Sequence, residues 1–245
     1  MIPKVIHYIW LGGNPEPNIL KKCKRSWRKY CPDYEIKRWD ETNLDLNKFK
    51  FAKDAYNAKK WAFASDVFRF DILYKEGGIY LDTDVELIKP IDEFLAYEFF
   101  TGFESEQFVN PGLIMGCKKE SKIANDILEI YKKAEFNIDK LFDITVCKLV
   151  TSYLVENYNL KQTGETQRLK NNKVVIFSPE YFCPKSIETL ETIITKNTVS
   201  IHHYSATWVN KTLKDRLKAL LRFCIGNKNY QKIRNQYRKN KGKKP

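Results

Sequence analysis

Apolar and polar positions switch between two periods over the first third of the chain. Lys4–Trp10 is a run of β-branched and aromatic residues stopped by Gly12-Gly13, and it predicts a strand. Between 17 and 30, Ile19, Leu20, Cys23 and Trp27 fall on one helical face, and Pro17 suits the first turn. Tyr34–Trp39 predicts a second strand, and 47–58 a further helix. From Lys60 to Lys75 apolar side chains occupy almost every face, and Gly77-Gly78 closes the helix. Ile79–Leu81 reads as a short buried strand, which Val85–Ile88 continues before Pro90. Strands alternating with helices in this way predict an α/β domain with a mainly parallel central sheet.

The second half is less regular. Phe99–Phe103, Gly112–Gly116, Val174–Phe177 and Val199–Tyr204 read as strands, and 121–134 and 139–157 as helices. Residues 211–225 carry Leu213, Leu217, Leu220, Leu221 and Cys224 on one stripe of an amphipathic helix. The polar, basic stretch 226–245 predicts a frayed end. The division expected is therefore one main domain over 1–210 and an amphipathic helix with a basic tail over 211–245.

Composition narrows the class. With 43% hydrophobic and 14% aromatic residues in 245, a wholly disordered chain is excluded. No apolar run approaches the ~18–20 residues of a membrane-spanning helix. Val5–Leu11 lacks the basic flank and cleavage site of a signal peptide. The cysteines at 23, 31, 117, 147, 183 and 224 show no C-x-x-C spacing and read as reduced core residues, which points to a cytoplasmic location. The net charge of +13 is a property of one region: 211–245 hold thirteen Lys/Arg against a single acid, Asp215. Such a tail suits an anionic membrane surface or nucleic acid, and a solubilising role is the plain alternative.

Candidate chemistry concentrates at Gly77-Gly78-Ile79-Tyr80-Leu81-Asp82-Thr83-Asp84-Val85. In an extended chain Asp82 and Asp84 face the same side, ~6.6–6.8 Å apart. Two carboxylates at the end of a buried strand repel unless a cation joins them, and a hard divalent ion with oxygen ligands does so while also holding substrate phosphates. Glu86 continues the alternation and reads as solvated. In the helix before it, Ser65, Asp66 and Arg69 form one polar strip on an otherwise apolar surface, with Asp71 opposite. The strip is either a local i,i+3 ion pair or a face turned toward the carboxylates, with Asp66 accepting from sugar hydroxyls and Arg69 offsetting phosphate charge.

The segment Ala64-Ser65-Asp66-Val67-Phe68-Arg69-Phe70 followed by Gly77-Gly78-Ile79-Tyr80-Leu81-Asp82-Thr83-Asp84 resembles the signature of the D-x-D sugar transferases of glycosyltransferase family 32. That group includes yeast-type mannosyltransferases, bacterial capsule enzymes and, more distantly, the large clostridial glucosylating toxins. Ile6-His7-Tyr8-Ile9-Trp10-Leu11-Gly12-Gly13 is similar to the family's first strand, and the likeness covers residues 3–90. The resemblance implies a GT-A type fold, a nucleotide-sugar donor linked to UDP or GDP, a Mn2+ or Mg2+ ion, and retention of anomeric configuration. It implies that Trp10 stacks on the base with Ile9 beside it, and that Ser65 and Tyr80 line ribose and base. Asp66 and Arg69 then hold the donor sugar, Asp82 touches ribose and metal-bound water, and Asp84 binds the metal. Without the resemblance Trp10 reads as a core aromatic at a strand end.

Two later patches fit the same scheme. Val109-Asn110-Pro111-Gly112 either presents the Asn110 amide to the donor sugar or is a plain turn. In Ile201-His202-His203-Tyr204-Ser205-Ala206-Thr207-Trp208, alternation puts the histidines on opposite faces. His203 is favoured as metal ligand with His202 packed inward, and Ser205 and Trp208 close over the phosphates. The expected product is a capsule or other surface glycan, built on a glycan or lipid-linked acceptor at the inner face of the cell membrane. Two rivals stand beside this reading. One is a haloacid-dehalogenase-type phosphatase with Asp82 as nucleophile and Asp84 as acid, which lacks a late acidic pair. The other is RNA binding through the tail, which nothing in 1–210 supports; no nucleic-acid partner is expected.

Overall fold

The structure is a computed structural model and describes residues 1–140, 145–186 and 191–205. The amphipathic helix expected at 211–225, the basic end and Trp208 lie outside the described residues.

The strands, in chain order, are β1 (Val5–Ile9), β2 (Glu35–Trp39), β3 (Gly78–Tyr80), β4 (Val85–Leu87), β5 (Phe99–Gly102), β6 (Met115–Cys117), β7 (Gln167–Leu169), β8 (Val174–Phe177) and β9 (Ser200–His202). The helices are α1 (Asn18–Tyr30), α2 (Lys50–Asn57), α3 (Trp61–Glu76), α4 (Lys122–Lys133), α5 (Val146–Tyr158) and the single turn α6 (Pro179–Phe182). A seven-stranded sheet has the order β2-β1-β3-β6-β5-β8-β7. The pairings leave β1, β2, β3, β5 and β8 pointing one way, with β6 and β7 reversed.

Side chains alternate across this sheet and feed two cores. Ile9, Tyr80, Phe99, Met115, Val174 and Ile176 join α2, α3, α4 and α5 on one face. Ile6, Tyr8, Ile79, Phe100, Val175 and Phe177 join α1 and α6 on the other. Helix α3 is buried on almost every side, as its uniformly apolar surface demands. Its odd acid, Asp71, is buried too and is neutralised by Lys48 at 2.5 Å and Lys75 at 2.9 Å.

Three elements differ from the sequence reading. Val85–Leu87 does not extend β3: the chain turns at Thr83-Asp84, and β4 forms a separate two-stranded sheet with β9. Helix α1 holds β4 away, because Trp27 Nε1 donates to the Val85 carbonyl (2.8 Å) and the Leu87 amide donates to Ser26 Oγ (3.0 Å). Gly112–Gly116 is largely a turn that enters β6 only at Met115. The helix expected from 139 begins at Val146.

His7 ties β1, β2 and the end of α3 together. Trp39 Nε1 donates to His7 Nδ1 (3.1 Å), which leaves Nε2–H to donate to the Gly77 carbonyl (2.9 Å). Indole can only donate, so this arrangement requires the neutral ring. Burial pushes the His7 pKa down to about 4. Gly78 (φ +101°) lies so close that a Cβ there would meet His7 Nε2 at 2.8 Å. Among the described residues the cysteines are free thiols, and no helix is long and apolar enough to cross a membrane.

The depressed His7 value sets an acid limit on the fold. As pH falls below the ordinary 6.5, the unfolded chain takes up the proton first. Stability from this site is therefore complete above pH 6.5, declines below it, and stops declining below about 4. The loss is about 3 kcal/mol. Urea unfolding of wild type and His7→Gln between pH 7 and 4 checks this: the variant is less stable throughout but has the shallower pH slope.

Candidate functional site

The carboxyl ends of β1, β3 and β5 open on the same edge of the sheet, where ligands of open α/β sheets bind. Trp10, Asp82 and Glu104 follow these strands. Below them, the i,i+3 spacing on α3 brings Asp66 and Arg69 together, and both are buried. Arg69 Nη2 lies 2.6 Å from Asp66 Oδ1 and 3.4 Å from Asp82 Oδ1. The guanidinium stacks 4.6 Å over the Tyr80 ring, and Tyr80 Oη donates to Asp82 Oδ1 at 3.1 Å. The strip is thus both an ion pair and a face turned to the carboxylates. Burial pushes the Asp66 carboxyl up to about 7, with Arg69 holding it back. Burial also works against the Arg69 charge, yet Tyr80, Asp82 and Asp66 around it keep it protonated. Ser65, half-buried beside them, turns its hydroxyl back to the Ala62 carbonyl at 2.7 Å.

Asp84 lies across the turn in a different clamp. Its Oδ1 is 3.1 Å from His202 Nε2, and its Oδ2 accepts from the Ser205 amide (2.7 Å) and hydroxyl (2.8 Å). Burial would raise the Asp84 carboxyl, but His202 and Ser205 hold it well below the usual carboxylate range. Asp84 in turn lifts the His202 imidazole against the effect of burial. The clamp depends on Tyr204, which takes a left-handed conformation (φ +52°) and stacks edge-on against His202 at 4.3 Å. That turn lets two residues on either side of Tyr204 reach one carboxylate. Left-handed tyrosine is strained, and such strain persists only where the surroundings enforce it.

The geometry sets the two histidines on different carboxylates. His203, expected beside Asp84, instead sends Nε2 to Glu86 Oε2 at 2.7 Å, where Lys22 also binds at 2.7 Å. Only the His203 amide touches Asp84, through its carbonyl at 3.0 Å. The register Val85↔His202 between β4 and β9 sets His202 beside Asp84. The two rings do lie apart, as alternation requires, but which one faces Asp84 depends on a pairing between distant segments. Glu86 is accordingly half-buried and paired, not free in solvent.

The remaining candidates are dispersed around this centre. Ile9 is buried in the core and Trp10 is half-buried, with its indole N–H on the Asn14 carbonyl at 2.6 Å. Asn110 is a turn residue that borders Asp82 through Gly112. Its Oδ1 accepts from the Gly112 amide (2.7 Å) and its amide donates to Glu104. The Asp82 amide donates to the Gly112 carbonyl at 3.0 Å. Glu104 and Lys185 were not found from the sequence. Glu104 follows an apolar strand with no motif around it, and Lys185 is one basic residue among many. Lys185 Nζ donates to the His203 carbonyl at 2.9 Å.

Among the described residues no three His, Cys, Asp or Glu side chains form a ready metal cage. A Mg2+-type site does not need one, because such ions are commonly held by one or two carboxylates and completed by substrate phosphates. Asp84, kept ionised, fits that chemistry as the carboxylate, and the buried His202 Nδ1 beside it is a nitrogen donor with no hydrogen-bond partner.

Comparison with known proteins finds relatives over the segment that carries these residues. Residues 17–101 match the family described as "Glycosyltransferase sugar-binding region containing DXD motif", which spans Ser65 to Asp84. The chain is 36% identical over 144 residues to inositol phosphoceramide mannosyltransferase 3 of Schizosaccharomyces pombe, covering 56% of this chain and 39% of that protein. It is 33% identical over 106 residues to an uncharacterized glycosyltransferase of Acanthamoeba polyphaga mimivirus, covering 41% of this chain and 42% of that one. The chain therefore spans about four tenths of the length of these relatives. Among solved structures, the PaToxG glycosyltransferase superposes with a TM-score of 0.51 at 19% identity, over 63% of this chain and 68% of that one. The resemblance to D-x-D glycosyltransferases holds, and so does the GT-A type α/β fold with its mainly parallel sheet.

Gly112 tests the packing of the site. A Cβ there would stand 2.1 Å from Asp82 Oδ2, and the Asp82 amide is bonded to the same residue, so the loop has no easy retreat. Gly112→Ala should swing the Asp82 carboxylate off Tyr80 and Arg69 and lower the melting temperature. A crystal structure of the variant with a thermal melt checks both.

Proposed function

We propose that the chain transfers a sugar from a UDP- or GDP-linked donor to a hydroxyl of a glycan or lipid-linked acceptor, with a Mn2+ or Mg2+ ion. The observation that carries this reading is the Asp82-Thr83-Asp84 turn, which joins the Arg69 cluster to the His202–Ser205 clamp at the open edge of the sheet. Residues 1–210 form the catalytic domain on this reading. Asp84, with His202 in place of His203 and Asp82 nearby, would hold the ion, which would draw charge from the diphosphate when bound.

The chain's own side chains then divide the work. Trp10 and Tyr80 frame the base and ribose, with Ile9 and Ser65 behind them. Asp66, held against Arg69, accepts from hydroxyls of the donor sugar, and Asn110 adds an amide from the Gly112 turn. Arg69 stabilises negative charge as the diphosphate leaves, which favours the transition state over the bound donor. Ser205 orients Asp84, and Trp208, outside the described residues, is assigned to the phosphates on the same reading. The anomeric configuration is retained by attack on the face the diphosphate leaves. A phosphatase using Asp82 as nucleophile is not favoured, since the Asp82 carboxylate already accepts from Tyr80 and faces Arg69. The product is a surface glycan such as a capsule, and the 211–245 tail holds the enzyme at anionic lipid on the inner face of the cell membrane.

Hydrolysis of UDP- and GDP-hexoses with Mn2+ tests the reaction. Asp84→Asn should cut metal-dependent turnover at least ~100-fold, which corresponds to about 2.7 kcal/mol of transition-state stabilisation. His202→Ala should raise the Mn2+ concentration for half-maximal rate severalfold, whereas His203→Ala should leave it near wild type. Full activity of Asp84→Asn in chelator is incompatible with the reading. For the tail, vesicle sedimentation should show binding to anionic but not neutral lipid, with release near ~0.5 M salt, where screening shortens to a few ångströms.

A further inference from the structure

Lys185 is a half-buried cation at the edge of the Asp84 clamp, on the loop after α6. Its ammonium spends one proton on the carbonyl of His203, in the same stretch that supplies His202 and Ser205 to Asp84. Among the described residues no carboxylate lies within ion-pair distance of it. Half-buried Lys24 and Lys37 differ, each resting on a glutamate: Glu16 at 2.6 Å and Glu76 at 2.7 Å. Burial presses the Lys185 pKa down, and the Asp84 charge works in the opposite direction. The Lys185 ammonium has three donor protons, of which the fixed His203 carbonyl takes one, so donors remain for an anion entering the clamp. Arg69 stands on the Asp82 side of the same turn. Positive groups therefore flank the Asp82-Thr83-Asp84 turn on both sides.

We propose that Lys185 binds the diphosphate of the donor and stabilises it as a leaving group. The proposal rests on the nucleotide-sugar reading and adds to it a residue outside the D-x-D segment. In the step it assists, the bond between the anomeric carbon and the phosphate oxygen breaks, and its electron pair stays on that oxygen. The acceptor hydroxyl oxygen, or water in hydrolysis, bonds to the carbon and releases its proton to solvent. Lys185 keeps its own proton and donates a hydrogen bond to the departing diphosphate, a charge-assisted contact of the stronger kind.

Calorimetry with full-length protein and Mn2+ separates the possibilities, using the nucleoside and its diphosphate for the base that wild type accepts. Lys185→Gln should weaken the nucleoside diphosphate at least tenfold, leave the nucleoside unchanged, and reduce kcat for donor hydrolysis at least tenfold. Lys185→Arg should recover most of both losses, because it restores the charge. Equal affinity of wild type and Lys185→Gln for the diphosphate overturns the assignment while leaving the nucleotide reading intact. Parallel loss of nucleoside and diphosphate also overturns it, since that pattern marks local repacking. Failure of wild type itself to bind any nucleoside diphosphate overturns the nucleotide reading, and the Lys185 role with it.

Discussion

A single buried guanidinium organises the centre of this molecule. Arg69, 3% exposed, holds Asp66 from its own helix and Asp82 from the end of β3, and it covers the Tyr80 ring. Asp66 and Arg69 would each be costly alone in the core. Removing one partner from such a set typically costs about 3–5 kcal/mol, because the other charge stays buried and unpaired. Apart from Asp71 on the opposite side, which Lys48 and Lys75 neutralise, the α3 surface around the strip is mostly apolar. The register of α3 beneath the sheet and the position of the Asp82 turn are thereby linked.

The second carboxylate of the turn is kept ionised by different means. Asp84 draws on residues more than a hundred positions later, and those reach it only because β9 pairs with β4 outside the main sheet. The Trp27 and Ser26 bonds from α1 hold β4 in place for that pairing. The two carboxylates of one short turn thus answer to separate supports: Asp82 to a helix and a tyrosine, Asp84 to a late strand and a strained tyrosine corner. This division suits a site in which one acid orients a ligand and the other binds a cation. Buried charge of this kind contributes little to stability, so its presence is better explained by what the site must bind.

Much of the first third was legible in the sequence, because its signals are local. The apolar circumference of Trp61–Glu76 requires burial, Gly77-Gly78 ends the helix, and Asp66 and Arg69 share a face by helical geometry alone. The joint occurrence of that strip with Asp82-Thr83-Asp84 was specific enough to point to a family. Local periodicity was less reliable where turns intervene: extended alternation placed Asp82 and Asp84 on one strand, whereas the chain turns between them and delivers them to different clamps. Alternation separated His202 from His203 but carried no information on which faces Asp84. Glu104 and Lys185 had no local signal at all, since each gains its meaning from a neighbour reached through another strand or loop. Helical and extended spacing determine which side chains share a face. Strand pairing between distant segments decides which charge meets which, and only the tertiary structure contains that choice.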